Sequence, residues 1–221
     1  MCKGLLQEST QCSLIIIKNI LDVVNCINGM KAIIFDLDDT LYGEKEYIHS
    51  GYRKIAESFP QVKDCEVKLW KLFEDKKAVI DEFLIREDLF TAKNKETSLR
   101  IYRFQKPDIH LYPGVYDMLV QLGKSYKLGL ITDGRPEGQN AKIDALGIRD
   151  LFDEIIITDE LGGTEYRKPN ANAYHIMSEK LGEKFNEMCY VGDNVSKDFI
   201  APEKLGMRGI WFQNSDGLYC D

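Results

Sequence analysis

The sequence predicts an α/β protein built on a doubly wound parallel sheet, and three observations support this fold class. Five short, continuous apolar runs occur along the 221 residues, a pattern typical of strands buried on both faces. Helical patterns of apolar residues separate the later runs, and such alternation indicates parallel strands joined by crossover helices. A long helical interval after the first run predicts an inserted subdomain. The five runs are Ala32–Ile34, Leu128–Ile131, Ile155–Ile157, Met188–Val191 and Gly209–Phe212.

An amphipathic helix is predicted ahead of the first run, from Leu14 to Ile27, ending near Gly29. Apolar residues at three- and four-residue spacing line one face of this segment, and polar residues line the other. We expect residues 1–29 to form an extension that packs on the core or on a second copy of the chain, so a homodimer stays open. The segment is more polar than a membrane span of roughly 18 apolar residues and lacks a signal-peptide cleavage site, so no membrane association is expected.

The interval between Leu41 and Leu111 contains no pattern typical of a buried strand. A structureless loop of this length would be exceptional, and apolar residues instead recur at helical spacing. We therefore divide the chain into a core of residues 30–42 and 111–221 and a helical cap of residues 43–110. Insertion directly after the first strand places the cap over the strand ends, where it could act as a lid. The three apolar faces lie over residues 48–59, 67–73 and 80–84.

Charge and cysteine content argue against several classes of protein. The net charge is −7 and the isoelectric point is about 5.2, so the chain has no global electrostatic footprint for nucleic acid. An anionic substrate would need positive charge supplied locally at its site. The six cysteines form no CxxC pair and have no histidine at ligand spacing, which argues against zinc and fits a reducing, cytoplasmic compartment.

Three acidic residues, Asp36, Asp38 and Asp39, follow the run Ala32–Ile34 within four positions. Ligands of parallel α/β sheets bind outside the carboxyl ends of the strands, so a site is expected here. Unit charges about 4 Å apart repel by roughly 4 kcal/mol at an effective dielectric constant of about 20. A divalent cation would relieve this repulsion, and Mg²⁺ is the usual one where phosphate is also handled. A helix N-cap in a solvated turn is the alternative explanation of the acids.

Further polar groups follow the other predicted strands. Parallel strands would bring their carboxyl ends, and therefore these groups, to one rim of the sheet. The set combines carboxylates, a hydroxyl beside a glycine-containing turn, and an ammonium, which is an inventory for phosphoryl transfer. The groups are Thr132, Asp133 and Gly134 after Ile131, Lys168 ahead of the next helix, and Gly192, Asp193 and Asp198 after Val191.

In their order along the chain, these residues resemble the four motifs of the haloacid dehalogenase-like (HAD) superfamily of hydrolases, which form aspartyl phosphates. The resemblance runs from about Lys31 to Phe212. Each motif alone is weak, but the ordered set, with each member at a strand end or helix start, is specific. The helical insert between the first two motifs resembles the C1-capped phosphatase subgroup on its Rossmann-like core. The motifs are Asp36–Thr40, Thr132, Lys168, and Gly192–Asp193 with Asp198.

The resemblance implies chemistry at the acidic residues. Asp36 would be the nucleophile that takes up the phosphoryl group. Asp38 would protonate the leaving alcohol and then deprotonate the hydrolytic water. Mg²⁺ would bind the Asp36 carboxylate, the Asp193 carboxylate and the backbone carbonyl of Asp38. Asp198 would support these ligands without binding the ion directly.

The resemblance also implies a phosphate-binding set. Thr132 and the backbone amides at Asp133 and Gly134 would hold the phosphoryl oxygens. Lys168 would neutralise both Asp36 and the phosphate, which supplies the local positive charge required above. Asp133 departs from the pattern, because asparagine is common there in the relatives, and this puts a side-chain contact in doubt.

Taken together, these roles imply a Mg²⁺-dependent phosphomonoesterase acting on a small phosphorylated metabolite, such as a sugar phosphate or a nucleoside monophosphate. The interval from Thr132 to Lys168 has no room for a second cap, which favours small substrates. A phosphomutase or a dehalogenase of the same superfamily is the alternative, although a dehalogenase would not need Asp38. A non-catalytic phosphate-binding or regulatory module is the alternative from another class, but such a module would normally lack Asp36 or Asp38.

Overall fold

A six-stranded sheet lies at the centre of the protein, for which a computed structural model describes residues 14–218. The strands are β1 (Leu14–Ile17), β2 (Ala32–Phe35), β3 (Lys127–Thr132), β4 (Glu154–Ile157), β5 (Met188–Gly192) and β6 (Arg208–Phe212). Their order across the sheet is β1-β6-β5-β2-β3-β4, and every neighbouring pair is parallel. Residues 1–13 of the predicted extension and 219–221 of the predicted core lie outside the described residues.

Eight α-helices accompany the sheet within the described range. They are α1 (Glu44–Glu57), α2 (Cys65–Glu74), α3 (Val79–Arg86), α4 (Ala92–Arg103), α5 (Val115–Leu122), α6 (Pro136–Leu146), α7 (Asn172–Leu181) and α8 (Ile200–Leu205). None of the helices in residues 14–218 is both long enough and apolar enough to cross a membrane.

The central strands β2 and β5 are buried at every position, because helices cover both faces of the sheet. Side chains alternate along a strand. Accordingly, Ile33 and Phe35 pack into one apolar cluster with residues of α5 and α6, and Ile34 packs into a second with residues of α7 and α8. The predicted doubly wound parallel sheet is confirmed, and its five predicted strands lie within one residue of the observed ones.

The amphipathic helix predicted from Leu14 to Ile27 is wrong. Leu14–Ile17 forms the edge strand β1, which pairs in parallel with β6 and satisfies backbone groups that β6 would otherwise expose. A six-residue 3₁₀-helix, Ile20–Asn25, follows, and the Asn19 side chain caps it by accepting from the Leu21 amide at 3.0 Å. Its buried apolar residues still recur at helical spacing, so periodicity over the whole segment could not locate the strand within it.

Helices α1 to α4 occupy the interval between β2 and α5 and enclose an apolar cluster of their own, with Ile55, Leu69, Phe83 and Leu84 fully or almost fully buried. Helices α1, α2 and α3 coincide with the three predicted apolar faces. Helix α4 was not predicted because its sequence is mostly polar. Its first turn is stabilised by Thr91, whose hydroxyl accepts from the Asn94 amide at 3.0 Å.

Candidate active site

The carboxyl ends of β2, β3 and β5 lie side by side at the centre of the sheet. Asp36 follows β2, and its amide donates to the carbonyl of Val191 in β5 at 2.8 Å. Thr132 is the last residue of β3, and Asp193 directly follows β5. The sheet therefore brings these three predicted site residues to one rim, as parallel strands require.

Lys168 lies between two carboxylates at this rim. Its side chain is 0% exposed, and Nζ lies 2.7 Å from Asp36 Oδ1 and 2.9 Å from Asp198 Oδ1. The Tyr190 hydroxyl accepts a hydrogen bond from the same ammonium at 2.9 Å. Burial disfavours the charge on Lys168, but Asp198 and Asp36 outweigh it and raise its pKa well above the ordinary value. The lysine is therefore a permanent cation in contact with the predicted nucleophile.

Asp36, Asp193 and Asp198 form the acidic cluster, in which one carboxylate oxygen from each residue lies within 4.8 Å of the others. Burial, together with repulsion from Asp36 and Asp198, raises the pKa of Asp193 to about 8. Burial also raises the pKa of Asp36 to about 6, although Lys168 opposes this and Asp198 adds to it. Lys168 neutralises one of the three negative charges at most. The residual charge and the hard oxygen donors fit a divalent cation such as Mg²⁺.

Gly192 allows the acidic cluster to assemble. A Cβ at this position would lie 2.6 Å from Asp198 Oδ2 and 3.0 Å from Asp198 Cγ, far closer than atoms can pack. The same Oδ2 accepts from the amide of Asn194 at 2.9 Å, so the carboxylate cannot easily move aside. A glycine is therefore needed at the end of β5 on steric grounds.

The Asp38 carboxylate lies outside the acidic cluster and is held by three donors. Lys142 Nζ lies 2.7 Å from Oδ1, the Tyr42 hydroxyl donates to the same oxygen, and Gln139 Nε2 donates to Oδ2 at 2.9 Å. Burial alone would raise the pKa of Asp38, but Lys142, Tyr42 and Gln139 outweigh it and lower the pKa. The metal contact predicted for Asp38 involves its backbone carbonyl, and it stays a prediction.

The phosphate-binding residues predicted after β3 differ in what they do in the structure. Thr132 is buried, and its hydroxyl accepts a hydrogen bond from Gln139. Asp133 Oδ1 accepts from the Thr158 hydroxyl at 2.9 Å and from the Lys168 amide at 3.1 Å, so its side chain fixes the Lys168 loop. Gly134 has a φ of 138°, a conformation that favours glycine. The backbone amides at these positions remain the predicted phosphate ligands.

Four residues close to the site escaped the sequence reasoning. Asp39, for which a solvated turn was the alternative explanation, is 1% exposed and accepts from the amides of Glu44 and Leu218 at 2.9 and 2.7 Å. Gln139 and Lys142 lie three residues apart on the buried face of α6. Their spacing, in line with buried Ile143 and Leu146, was the available signal. Tyr42 lies two residues beyond the first motif, and its hydroxyl donates to the Asp38 carboxylate.

A cavity of about 800 Å³ adjoins the site between α6 and the helices α1 to α4. Glu44, Tyr47 and Tyr102 line its side towards α1 and α4, and Gln139 and Lys142 line the opposite side. Five cationic side chains line the cavity against two acidic ones. Three of the cations are paired with carboxylates (Lys95 with Asp81, Lys142 with Asp38 and Arg167 with Asp159), so the positive charge of the cavity rests on Arg103 and Arg135. The cations are Lys95, Arg103, Arg135, Lys142 and Arg167, and the acids are Glu44 and Asp81.

A parallel sheet with a buried aspartate–lysine pair, a carboxylate cluster and an adjoining positive cavity defines a hydrolase suited to phosphoryl groups. A family model described as haloacid dehalogenase-like hydrolase matches residues 33–212. The glyceraldehyde 3-phosphate phosphatase of Methanocaldococcus jannaschii is 30% identical over 220 residues, covering 87% of this chain and 91% of that protein. The chain therefore belongs to the haloacid dehalogenase-like hydrolase family, which confirms the family and the enzyme class predicted from the motifs.

Two further comparisons agree with this family. The 5-amino-6-(5-phospho-D-ribitylamino)uracil phosphatase YigB of Escherichia coli is 24% identical and covers 86% of this chain and 87% of its own length. The structure of the HAD-hydrolase YfnB from Bacillus subtilis, bound to magnesium, has a TM-score of 0.61 and 19% identity, and covers 83% of this chain and 87% of that one. The structural likeness shows the shared fold.

Proposed function

We propose that the protein is a Mg²⁺-dependent phosphomonoesterase that hydrolyses a small phosphorylated metabolite through an aspartyl phosphate on Asp36. The contact of buried Lys168 with Asp36 at 2.7 Å, beside the acidic cluster, carries this proposal. An aspartate that is paired with a charged lysine is suited to attack a phosphate dianion, and the cavity that adjoins the site at Gln139 and Lys142 could hold the leaving group. The phosphatase names of the relatives from M. jannaschii and E. coli support the same reaction class.

The chemistry divides into two half-reactions. In the first, an Asp36 oxygen forms a bond to phosphorus while the bond to the leaving oxygen breaks, and Asp38 gives its proton to that oxygen. In the second, water attacks the same phosphorus, Asp38 takes a proton from it, and the bond to Asp36 breaks. The lowered pKa of Asp38 suits the second step. An incoming phosphate dianion disfavours the ionised carboxylate and so promotes proton uptake for the first step.

Charge neutralisation falls to the residues around Asp36. Asp36, Asp193 and the Asp38 carbonyl would hold Mg²⁺, with Asp198 orienting the cluster from behind. When bound, the ion would offset negative charge on the phosphoryl oxygens. Lys168 would contribute stabilisation of the same kind, because it already contacts Asp36 and stays charged.

The cavity supports a small substrate with an anionic or strongly polar leaving group. Its volume of about 800 Å³ lies within the usual range for small-molecule sites, roughly 300–1,000 Å³. We propose that helices α1 to α4 form a cap, residues 43–110, that selects the leaving group of a sugar phosphate or nucleoside monophosphate. A cytoplasmic location is also proposed, since Cys26, Cys65 and Cys189 are free thiols.

Phosphate release from p-nitrophenyl phosphate tests the proposal. We expect turnover with Mg²⁺, none with EDTA, and none with Asp36→Asn, which keeps the shape of the side chain and removes the nucleophilic oxygen. Asp144→Asn is the matched control, because Asp144 pairs with Arg149 at an exposed site on α6. Turnover by Asp36→Asn at the wild-type rate, or no Mg²⁺-dependent turnover by the wild type, would refute the function.

A further inference from the structure

We propose that Lys142, supported by Tyr42 and Gln139, is a positioning residue that holds the Asp38 carboxylate in its working orientation. This role rests on the proposed function, in which Asp38 exchanges protons with the leaving group and with water. It concerns residues outside the four motifs, two of them on helix α6.

Lys142 carries its charge in a place where an unpaired lysine would be costly. Its side chain is 5% exposed, and Nζ lies 2.7 Å from Asp38 Oδ1. The same Nζ lies 4.4 Å from the centre of the Tyr47 ring, within the range of a cation–π contact. Burial lowers the pKa of Lys142, but Asp38 and Glu44 outweigh this and raise it, so the ammonium stays charged. Lysine is almost never this buried unless it is paired, and Asp38 is its partner.

The three donors around Asp38 hold its carboxylate in one orientation. Oδ1 accepts from Lys142 and from the Tyr42 hydroxyl, while Oδ2 accepts from Gln139 Nε2 at 2.9 Å. Charge-assisted hydrogen bonds of this kind are roughly twice as strong as neutral ones. A carboxylate held at both oxygens by three side chains cannot rotate without losing at least one of these bonds.

Gln139 couples this orientation to the phosphate site. Its Nε2 also donates to the Thr132 hydroxyl, which is predicted to hold a phosphoryl oxygen. Gln139 and Lys142 lie about one turn apart on α6, the helix that follows β3. One helix therefore fixes the distance between the group that exchanges protons and the hydroxyl that would bind phosphate.

The location of the pair distinguishes a positioning role from a purely structural one. A lysine that only stabilised the fold could lie anywhere in the core. Lys142 and Gln139 instead line the cavity of about 800 Å³, where Lys142 contacts the Tyr47 ring. Lys142 therefore faces the space where the leaving group would lie and connects it to Asp38.

The positioning role predicts a dependence on the leaving group. General acid–base catalysis contributes about 10²- to 10⁴-fold, and misplacement of a reacting group by about 1 Å can cost about 10²-fold. An alkoxide needs a proton to leave, whereas p-nitrophenolate leaves without one. Loss of the orientation of Asp38 should therefore leave phosphoryl transfer from p-nitrophenyl phosphate to Asp36 almost unchanged. It should slow hydrolysis of the aspartyl phosphate, and it should also slow phosphoryl transfer from alkyl phosphates to Asp36.

The experiment compares the wild type, Lys142→Met and the control Lys127→Met in pre-steady-state assays with Mg²⁺. Lys127 also has a carboxylate partner, Glu183 at 2.9 Å, but it lies at the start of β3, away from the site. With p-nitrophenyl phosphate, we expect Lys142→Met to release one p-nitrophenol per site at a rate within about tenfold of the wild type, followed by turnover about 10²-fold slower. With the alkyl phosphate that the wild type hydrolyses fastest, we expect a loss of about 10²-fold and no burst. Lys127→Met should match the wild type.

Two additional measurements keep the proposal testable if Lys142→Met folds poorly, which a thermal melt would reveal. Tyr42→Phe removes one donor to Asp38 without changing the charge of the site. With p-nitrophenyl phosphate, we expect its steady-state turnover to fall about tenfold while the rate of the burst stays close to that of the wild type. Added methylammonium should restore turnover to Lys142→Ala, since the cavity opens onto the deleted side chain. Unchanged turnover on both substrates, or equal loss of burst and turnover, would overturn the role of Lys142. A wild type without Mg²⁺-dependent phosphatase activity would instead refute the proposed function.

Discussion

Replacing Lys168 with methionine removes the cation that contacts two of the three clustered carboxylates. Nζ lies 2.7 Å from Asp36 Oδ1 and 2.9 Å from Asp198 Oδ1, with the lysine side chain fully buried. At an effective dielectric constant of about 20, each contact contributes roughly 6 kcal/mol before desolvation is subtracted. Removing one partner of a buried ion pair costs about 3–5 kcal/mol in net stability. We expect Lys168→Met to lower the free energy of unfolding by about that amount in EDTA at pH 8.

Mg²⁺ and acid should each reduce this loss. Mg²⁺ returns positive charge to the acidic cluster and binds only the folded protein, so it should stabilise the variant. Burial and the neighbouring carboxylates already raise the pKa of Asp36 to about 6 and that of Asp193 to about 8. These folded-state values lie above those of the unfolded chain, so the groups destabilise the fold as pH rises through this range. The loss caused by Lys168→Met should therefore be smaller at pH 6 than at pH 8.

Urea unfolding followed by tryptophan fluorescence measures these differences. Lys127→Met is the control, because its ion pair with Glu183 is half exposed on the lysine side and should contribute at most about 1 kcal/mol. A loss below about 1 kcal/mol for Lys168→Met would refute the assignment of Lys168 as the neutralising cation. An identical loss in EDTA and in Mg²⁺ would refute the charge argument for the metal.

Two further predictions concern single positions around the site. Gly192→Ala would place a Cβ 2.6 Å from Asp198 Oδ2, so we expect a stability loss of about 1–3 kcal/mol. A titration of turnover with Mg²⁺ should also show that the variant needs a higher Mg²⁺ concentration than the wild type. An unchanged titration would contradict the steric argument. Burial, then Asp38, raises the pKa of Glu44 from 4.5 to about 8, so its contribution to stability falls as pH rises between these values. Glu44→Gln has no such titration, so the difference in unfolding free energy between the variant and the wild type should shift in favour of the variant from pH 5 to pH 8. A constant difference would contradict the raised pKa.

The sheet could be predicted because its strands are short, continuous apolar runs, whose burial on both faces leaves few alternatives. The strand β1 was missed for a related reason. Leu14–Ile17 is also a continuous apolar run, but the buried Ile20, Val23 and Ile27 that follow it recur at helical spacing. Leu14–Ile17 forms a strand because it pairs with the edge of β6, which is nearly 200 residues distant in the sequence. Helix α4 was missed because its sequence carries little apolar periodicity.

The candidate site also has a part that the sequence predicts and a part that it does not. Asp36, Lys168 and Asp193 could be predicted to meet because each follows a strand or precedes a helix of a parallel sheet. The contacts of Asp38 could not, because they depend on the rotation of α6, which turns Gln139 and Lys142 towards β2. The burial of Asp39 could not be predicted either, because its partners are backbone amides, one of them Leu218 near the other end of the chain. Side-chain pattern gives no signal for contacts of that kind.

Trapping of the covalent intermediate tests the central claim most directly. The wild type would be mixed with p-nitrophenyl phosphate and Mg²⁺, quenched during turnover, and reduced with borohydride, which converts an aspartyl phosphate to homoserine. Peptide mass spectrometry should then find homoserine at position 36 and nowhere else, and none in Asp36→Asn. Rapid turnover with an unmodified Asp36, or reduction at another carboxylate, would contradict the account.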